Sequence, residues 1–396
     1  MSAHQSIAIA WILGLFFIVA LFAWAYPAIA CALLFQPVYV LAMDLKAQVD
    51  WPESVAHPAG AALRPMASSS NGARDNAYLG VILAAGRGSR MQVFSDEYPK
   101  PLLPVGNKPL LAHQIELMRN LGIREIIILI GHKGYQIARV LGDGSQYGVR
   151  LRYVEQTEVL GIAHAVGQLE RHVDRPFLLF LGDIFFVPRD LDALFAAFEE
   201  QGTAGVLATK EESDPDAIRR NFSVTLAADG SVNRVIEKPR HVSNNLKGVG
   251  LYLFDLYIFD AIRRTPRTAM RDEYEITDSI QVMINDGHII RTANAVYDDL
   301  NVTYPRDLLR INLELACREA GNTLLGKDCE VHPEAELINV VLGHHTRIRQ
   351  PLELRNVLVF DEVDLSGPDI VENAIITSHK IVNCDAEDSW TERAHG

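Results

Sequence analysis

Five short apolar runs alternate with amphipathic segments in the first half of the polar part of this chain, and few folds accept that alternation. Residues 80–85, 125–130, 151–155, 177–181 and 205–210 read as strands, two of them, 80–85 and 177–181, apolar throughout. Residues 110–120, closed by Gly122, and 135–141, 162–172 and 191–200 read as helices between them. Strands and helices in turn predict an α/β fold, a mainly parallel sheet with helices packed on it. Beyond residue 220 a hairpin is expected, 223–226 and 232–237 about Asp229-Gly230, then a strand at 248–254. Helices return at 256–264, 277–286 and 305–320.

The N-terminus has another character. No Asp, Glu, Lys or Arg occurs from Met1 to Met43, and residues 7–26 form an apolar run long enough for a bilayer-crossing helix. A second apolar stretch, 28–43, broken by Gln36 and Pro37, crosses back or lies in the interface. The expected organisation is a membrane segment over 1–50, as one crossing or a hairpin, and a linker over 51–77. A Rossmann-like α/β unit over 78–321 and a tail over 322–390 follow. The competing reading starts the protein near Met66, with no anchor. Acidic residues outnumber basic ones 50 to 37, for a net charge of −13, which argues against nucleic acid as a partner. Small anions need only a local basic pocket. Cys31, Cys317, Cys329 and Cys384 are too scattered for a zinc site or a disulfide framework.

Chemistry gathers at the strand ends. VILAAGRGSRM (81–91) runs a strand into a turn where Gly86 and Gly88 let backbone N–H groups approach a phosphate, with Arg87 and Arg90 as charged donors. It lacks the third glycine of a dinucleotide fingerprint and the Gly-Lys-Ser/Thr of a Walker loop. Lys100, in the proline-stiffened YPKPLLPVGNKPL, can bring a cation to the same phosphate. Asp183 ends FLLFLGD at the carboxyl edge of the sheet, placed to hold Mg²⁺ or to cap a turn. Asp298, Asp299 and Asn301 form a second oxygen-rich cluster, able to complete that site or to cap the next helix. In EQTEVLGIAHAV (155–166), Gln156 can read a base edge, and His164 reads as buried or capping. In VIEKP, Glu237 and Lys238 point to opposite faces unless the strand bends at Pro239.

Five ordered blocks, LAAGRGSRM with PKPLLPV, LGIAHAV, LGD, EKP with GVGLYLFD, and RDEYEITDSIQ, make residues 78–320 resemble the sugar-1-phosphate nucleotidyltransferases. The likeness is strongest to long-type glucose-1-phosphate thymidylyltransferases. It implies Mg²⁺-dependent in-line attack of a sugar 1-phosphate, glucose 1-phosphate foremost, on the α-phosphorus of dTTP or UTP, releasing pyrophosphate. Carried over, Ala84, Gly86, Gly88 and Arg90 hold the triphosphate, and Lys100 stabilises the transferring phosphoryl group. Gln156 and Gly161 hold the base, Glu237 the sugar hydroxyls and Lys238 the sugar phosphate, while Gly250 admits the sugar. Asp183 ligates the metal, with Asn301 where the family has aspartate and Asp299 as its stand-in. Asn221-Phe222 replaces the usual Tyr-Gly, which leaves the sugar open, mannose 1-phosphate or phosphocholine included. A catalytically weak nucleotide-sugar sensor or a membrane scaffold is the alternative function.

The tail resembles an imperfect hexapeptide left-handed β-helix of about three coils, suited to subunit contact in a homo-oligomer. His344 and His345 read as a solvated loop. An anchored protein of this kind is expected to face its α/β unit to the cytoplasm, where nucleoside triphosphates are, and without the anchor to be cytoplasmic.

Overall fold

The strand and helix signals condense into a nine-stranded sheet whose residues alternate between two cores. The computed structural model describes residues 74–384 apart from 87, 96, 132, 270, 320, 321 and 367–369. The expected membrane segment over 7–43 lies outside the described residues. Among the described residues no helix is long and apolar enough to cross a membrane.

Four parallel strands form the centre: β1 (Leu79–Ala84), β2 (Glu125–Ile130), β3 (Arg150–Glu155) and β4 (Phe177–Leu181). Their spatial order is β3-β2-β1-β4. Leu79 and Val81 face one core while Ile82 and Ala84 face the other, as the two-residue period of a strand requires. Helix α1 (Leu110–Asn120) and α2 (Gly134–Leu141) cover one face, and α3 (Ile162–Gly167) the other. α1 stops as its glycine predicts: Gly122 takes φ +87°, its N–H bonds the Arg119 carbonyl, and the Ile123 N–H bonds that of Met118.

β5 (Ile184–Pro188) follows β4 at once, and helix α4 (Asp192–Phe198) leads to β6 (Thr203–Glu211). After α5 (Pro215–Arg220) comes the expected hairpin, β7 (Phe222–Leu226) with β8 (Val232–Glu237), and then β9 (Leu246–Phe254). β9 pairs antiparallel with β6 near both of its ends, with β4 from Leu251 to Phe254 and with β7 at Lys247 and Gly248. Helices α6 (Tyr257–Arg264) and α7 (Ile276–Asn285) pack on the second core. β10 (Ile289–Ala293) joins β6, and β11 (Val296–Asn301) pairs antiparallel with β5 as a separate two-stranded ribbon. Helix α8 (Pro305–Ala316) leads into the tail. The sequence reading missed β5, β10, β11 and α5 and ran α3 past its end: α3 stops at Gly167, and the chain continues in turns.

The tail stacks β12 (Glu336–Leu342), β13 (Glu353–Val359) and β14 (Ile370–Ile376) in parallel register, beside a second sheet of two-residue strands. Glu336 faces Glu353 and Glu353 faces Ile370, so the repeat is 17 residues. That is one residue short of three hexapeptides. Asn339, Asn356 and Asn373 mark the period: each takes φ near +50°, and each side-chain amide donates to the next at 2.8 Å. Asn tolerates left-handed backbone and supplies both donor and acceptor, which is why it recurs at the corner.

Asn356→Ala should remove two of these hydrogen bonds and leave a Cβ residue at positive φ, a loss of about 2 kcal/mol or more in urea denaturation. Asn356→Gly, free of the backbone penalty, should recover about 1 kcal/mol of it.

Candidate functional site

Connections leave β1 and β4 in opposite directions, so a crevice opens at their carboxyl ends. Gly182 donates its N–H to the Leu83 carbonyl at 2.9 Å, and a Cβ there would lie 2.6 Å from that oxygen. The strand ends touch backbone to backbone. Buried Gln114 on α1 donates Nε2 to the carbonyls of Leu181 and Ile184, each at 2.8 Å, which pins the turn bearing Asp183. Nothing in the sequence singled Gln114 out; its signal is an amide on the buried face of an amphipathic helix.

A cavity of about 400 Å³ occupies the crevice, and the expected residues converge on it. From the glycine turn come Ala84, Gly86 and Gly88, with Lys100 beside them. Gln156 and Gly161 line a second side, and Asp183 and Asn301 a third. Glu237, Lys238 and Gly250 close the far end. Arg90 is the exception: it is exposed on a one-turn helix and does not line the cavity, so its expected hold on the triphosphate finds no support in this arrangement. Arg87 lies outside the described residues.

Lys100 Nζ donates to Asp183 Oδ2 at 2.8 Å across 83 residues of sequence. Lys100 is largely buried while Asp183 is half exposed, so the pair faces the cavity with its carboxylate side open. Gln156 is 6% exposed, and its Nε2 is buried with no hydrogen-bond partner. A buried donor left unpaired costs roughly 1–3 kcal/mol, so this amide is set for an acceptor on whatever fills the cavity.

The turn after β8 resolves the Glu237–Lys238 geometry. Lys238 takes φ +41°, so the strand ends at Glu237 and both side chains reach one cavity. The bend falls at Lys238 itself, one residue before Pro239. Gly161 has φ +107°, and a Cβ there would meet the Tyr274 carbonyl oxygen at 2.5 Å. Gly250 has φ +72° in the irregular stretch of β9, and a Cβ would press on Ile184 and Leu181 at 2.7 and 2.9 Å. Both glycines are therefore fixed by packing, whatever they also do for a ligand. Gly86 differs, with nothing within 4 Å of its would-be Cβ.

The oxygen-rich cluster before α8 divides. Asn301 stands opposite Ile184 across the β5–β11 ribbon, and the Val302 N–H bonds the Asp183 carbonyl at 3.1 Å. Asp299 is not a stand-in: its carboxylate is buried and held by Lys247 at 2.7 and 2.9 Å. Asp298 is taken by Lys210 at 2.6 Å. Among the described residues no group of three or more His, Cys, Asp or Glu is placed to hold a metal ion. Asp183 with Asn301 still suits magnesium, which binds through one or two protein oxygens and fills its shell with water and phosphate.

Several lining residues were not foreseen. Arg220 stands at the mouth, and Glu273, Glu275 and Tyr252 line the wall near Glu237. Phe222 is buried against Tyr252, and its ring occupies the space a Cβ on Gly248 would need. His164 stacks on Tyr274 and takes no catalytic position.

A family profile described as Nucleotidyl transferase matches residues 79–298, more than half the chain. This chain belongs to the nucleotidyl transferase family. It is 39% identical over 214 residues to the low-salt glycan biosynthesis nucleotidyltransferase Agl11 of Haloferax volcanii, an alignment spanning 53% of this chain and 58% of that one. With a glucose-1-phosphate thymidylyltransferase of Streptomyces griseus it shares 31% identity over 321 residues, 79% of this chain and 85% of the relative. A solved Bacillus anthracis protein, assigned as a glucose-1-phosphate thymidylyltransferase and in complex with sucrose, superposes with a TM-score of 0.54. That match has 26% identity and covers 62% of this chain and 96% of the other. The family is thus shown by the profile match and by the relative that the chain covers almost in full.

Glu237 is the cavity carboxylate whose ionisation the fold disfavours most clearly. Burial, reinforced by the nearby Glu275 carboxylate, pushes its pKa from 4.5 up to about 7, against the pull of Lys238 and Arg271. Between those values the folded nucleotidyltransferase keeps a proton that the unfolded chain releases. Its contribution to stability is complete below pH 4.5 and is lost as pH rises through about 7. Glu237→Gln should therefore gain stability relative to the parent as pH rises from 5 to about 8 in urea titrations, because the amide cannot ionise.

Proposed function

We propose that the enzyme joins a nucleoside triphosphate, dTTP or UTP, to a sugar 1-phosphate, glucose 1-phosphate foremost, releasing pyrophosphate. One observation carries this reading: the glycine turn, Lys100, Asp183, Gln156 and the Glu237–Lys238 pair, scattered over more than 150 residues, face one cavity. The unpaired Gln156 donor supports a base with a carbonyl on its edge, as thymine and uracil have. The thymidylyltransferase name of the Streptomyces griseus relative supports the same pair of substrates.

Two anions must meet, so the chain's own contribution is charge and order. Gly86 and Gly88 present backbone N–H groups to the triphosphate without side chains in the way. Lys100 shifts from Asp183 to the α-phosphate, where charge builds as the sugar phosphate attacks. Lys238 holds the sugar phosphate and Glu237 orients the sugar hydroxyls. The attacking phosphate is already ionised near neutral pH, so no general base is required. Asp183 and Asn301 would hold Mg²⁺, which when bound neutralises the triphosphate and the departing pyrophosphate.

Pyrophosphate release, followed over a grid of nucleoside triphosphates and sugar 1-phosphates with phosphocholine included, tests the reading. Turnover with a single pair names both substrates. Nucleotide binding with no release for any pair would overturn the enzyme reading in favour of a sensor.

Lys100→Ala should lower kcat about 100- to 1,000-fold, the cost of one preorganised charge donor. Gly86→Ala should leave the melting temperature unchanged while raising the KM for the triphosphate about ten-fold or more, since its new methyl meets only ligand.

A further inference from the structure

The segment that carries Lys100 is built largely without regular structure. Residues 89–105 contain a one-turn helix, a four-residue helix at Gln92–Ser95, another single turn at Lys100–Leu102 and a two-residue strand. Such a segment cannot hold a lysine in place by its own hydrogen bonds. Apart from Leu102, which packs against the first core, its apolar side chains lie outside both cores of the nine-stranded sheet. Met91, Phe94, Leu103 and Val105 are buried in a third core, together with the inner face of the C-terminal stack. Phe360, at the corner after β13, stacks on Phe94 with ring centres 5.5 Å apart and meets Tyr98 edge-on at 5.2 Å. Lys380 Nζ donates to the Val93 carbonyl at 2.6 Å and lies 3.6 Å from Glu97. The other flank of the cavity leans on the same core, because Leu300 and Val302, on either side of Asn301, are buried in it.

We propose that the C-terminal stack is a working part of the nucleotide site, with Phe360 and Lys380 as positioning residues for the segment bearing Lys100. Neither side chain lines the cavity; each acts on Lys100 through Phe94, Tyr98 and the Val93 carbonyl. The packing adds to the hold that Leu102 has on the first core of the sheet, and fixes the stretch that leads into Lys100. This inference rests on the nucleotide-binding reading of the cavity.

Isothermal titration of the full-length chain with UTP and with dTTP, in the presence of Mg²⁺, tests it alongside amide exchange over residues 89–105. Phe360→Ala should weaken triphosphate binding and lower kcat each by about ten-fold or more, because displacements near 1 Å at a reacting group cost that much. Phe360→Leu should restore most of both. Lys380→Met, at a partly exposed position, should weaken binding roughly three- to ten-fold, the loss of one hydrogen bond. Leu365→Ala, a truncation elsewhere in the stack, should lower the melting temperature without changing affinity. Amide exchange over 89–105 should quicken in Phe360→Ala and stay unchanged in Leu365→Ala. Wild-type affinity in Phe360→Ala and Lys380→Met, or equal losses in Phe360→Ala and Leu365→Ala, would overturn the proposal. A parent protein that binds neither triphosphate would instead overturn the substrate reading, whatever the exchange data show.

Discussion

Two adjacent parallel strands whose connections depart in opposite directions leave a gap at their carboxyl ends, and the chemistry of this nucleotidyltransferase sits in that gap. The contact between Gly182 and Leu83 sets its floor, since any side chain there would force β1 and β4 apart. Once the floor is fixed, the glycine turn after β1 and Asp183 after β4 must lie side by side. Gln114 then removes the remaining freedom of the Asp183 turn by satisfying two of its carbonyls. The reactive groups are thus placed by backbone contacts that a changed substrate would leave untouched.

Charge explains the arrangement above that floor. A protein of net charge −13 has to concentrate its cations locally if it is to bind the two phosphorylated substrates proposed for it. Lys100 and Lys238 do so, and each is kept near a carboxylate until a ligand arrives. The buried lysines Lys210 and Lys247 stand directly opposite one another on β6 and β9, a repulsive pairing, and Asp298 and Asp299 from β11 neutralise them. That cluster fastens the ribbon bearing Asn301 to the sheet. The same aspartates looked like metal ligands in the sequence because a carboxylate's spacing says nothing about which lysines the fold will bring to it.

Much of the fold was readable where local signals were strong. The apolar runs at β1, β2 and β4 and the glycine stop of α1 fell within a residue or two of their expected places. The β5–β11 ribbon escaped because IFFVP and VYDDLN pair across more than 100 residues, and neither shows a local turn or a clean alternation. In the tail, the Asn339, Asn356 and Asn373 ladder was visible as a 17-residue spacing, yet a hexapeptide pattern hid it. His344 and His345 lie in a turn as read, with His345 exposed, but His344 is half-buried rather than solvated. Its Nδ1 accepts the Lys327 N–H, and its Nε2 lies 3.1 Å from the Asn107 carbonyl oxygen, which ties the tail to the loop after Val105. The site residues were legible because strand-end chemistry is local; their supports, Gln114, Lys247 and Phe360, were not, because support is a property of tertiary packing.

That division has a consequence for how such an enzyme can change. Many of the residues that line the cavity lie at strand ends and in turns, Asn221 and Phe222 among them. Phe222 fits only because Gly248 opposite it has no side chain, so the substitution and its accommodation belong to two strands. The tail stands in the same relation to Lys100. Stacked coils with a common asparagine corner can be lengthened or shortened without altering the catalytic sheet, but the coil that bears Phe360 cannot move without moving Phe94 and Tyr98. The C-terminal stack is therefore constrained wherever it meets the catalytic unit, at His344 after β12, at Phe360 after β13 and at Lys380 after β14.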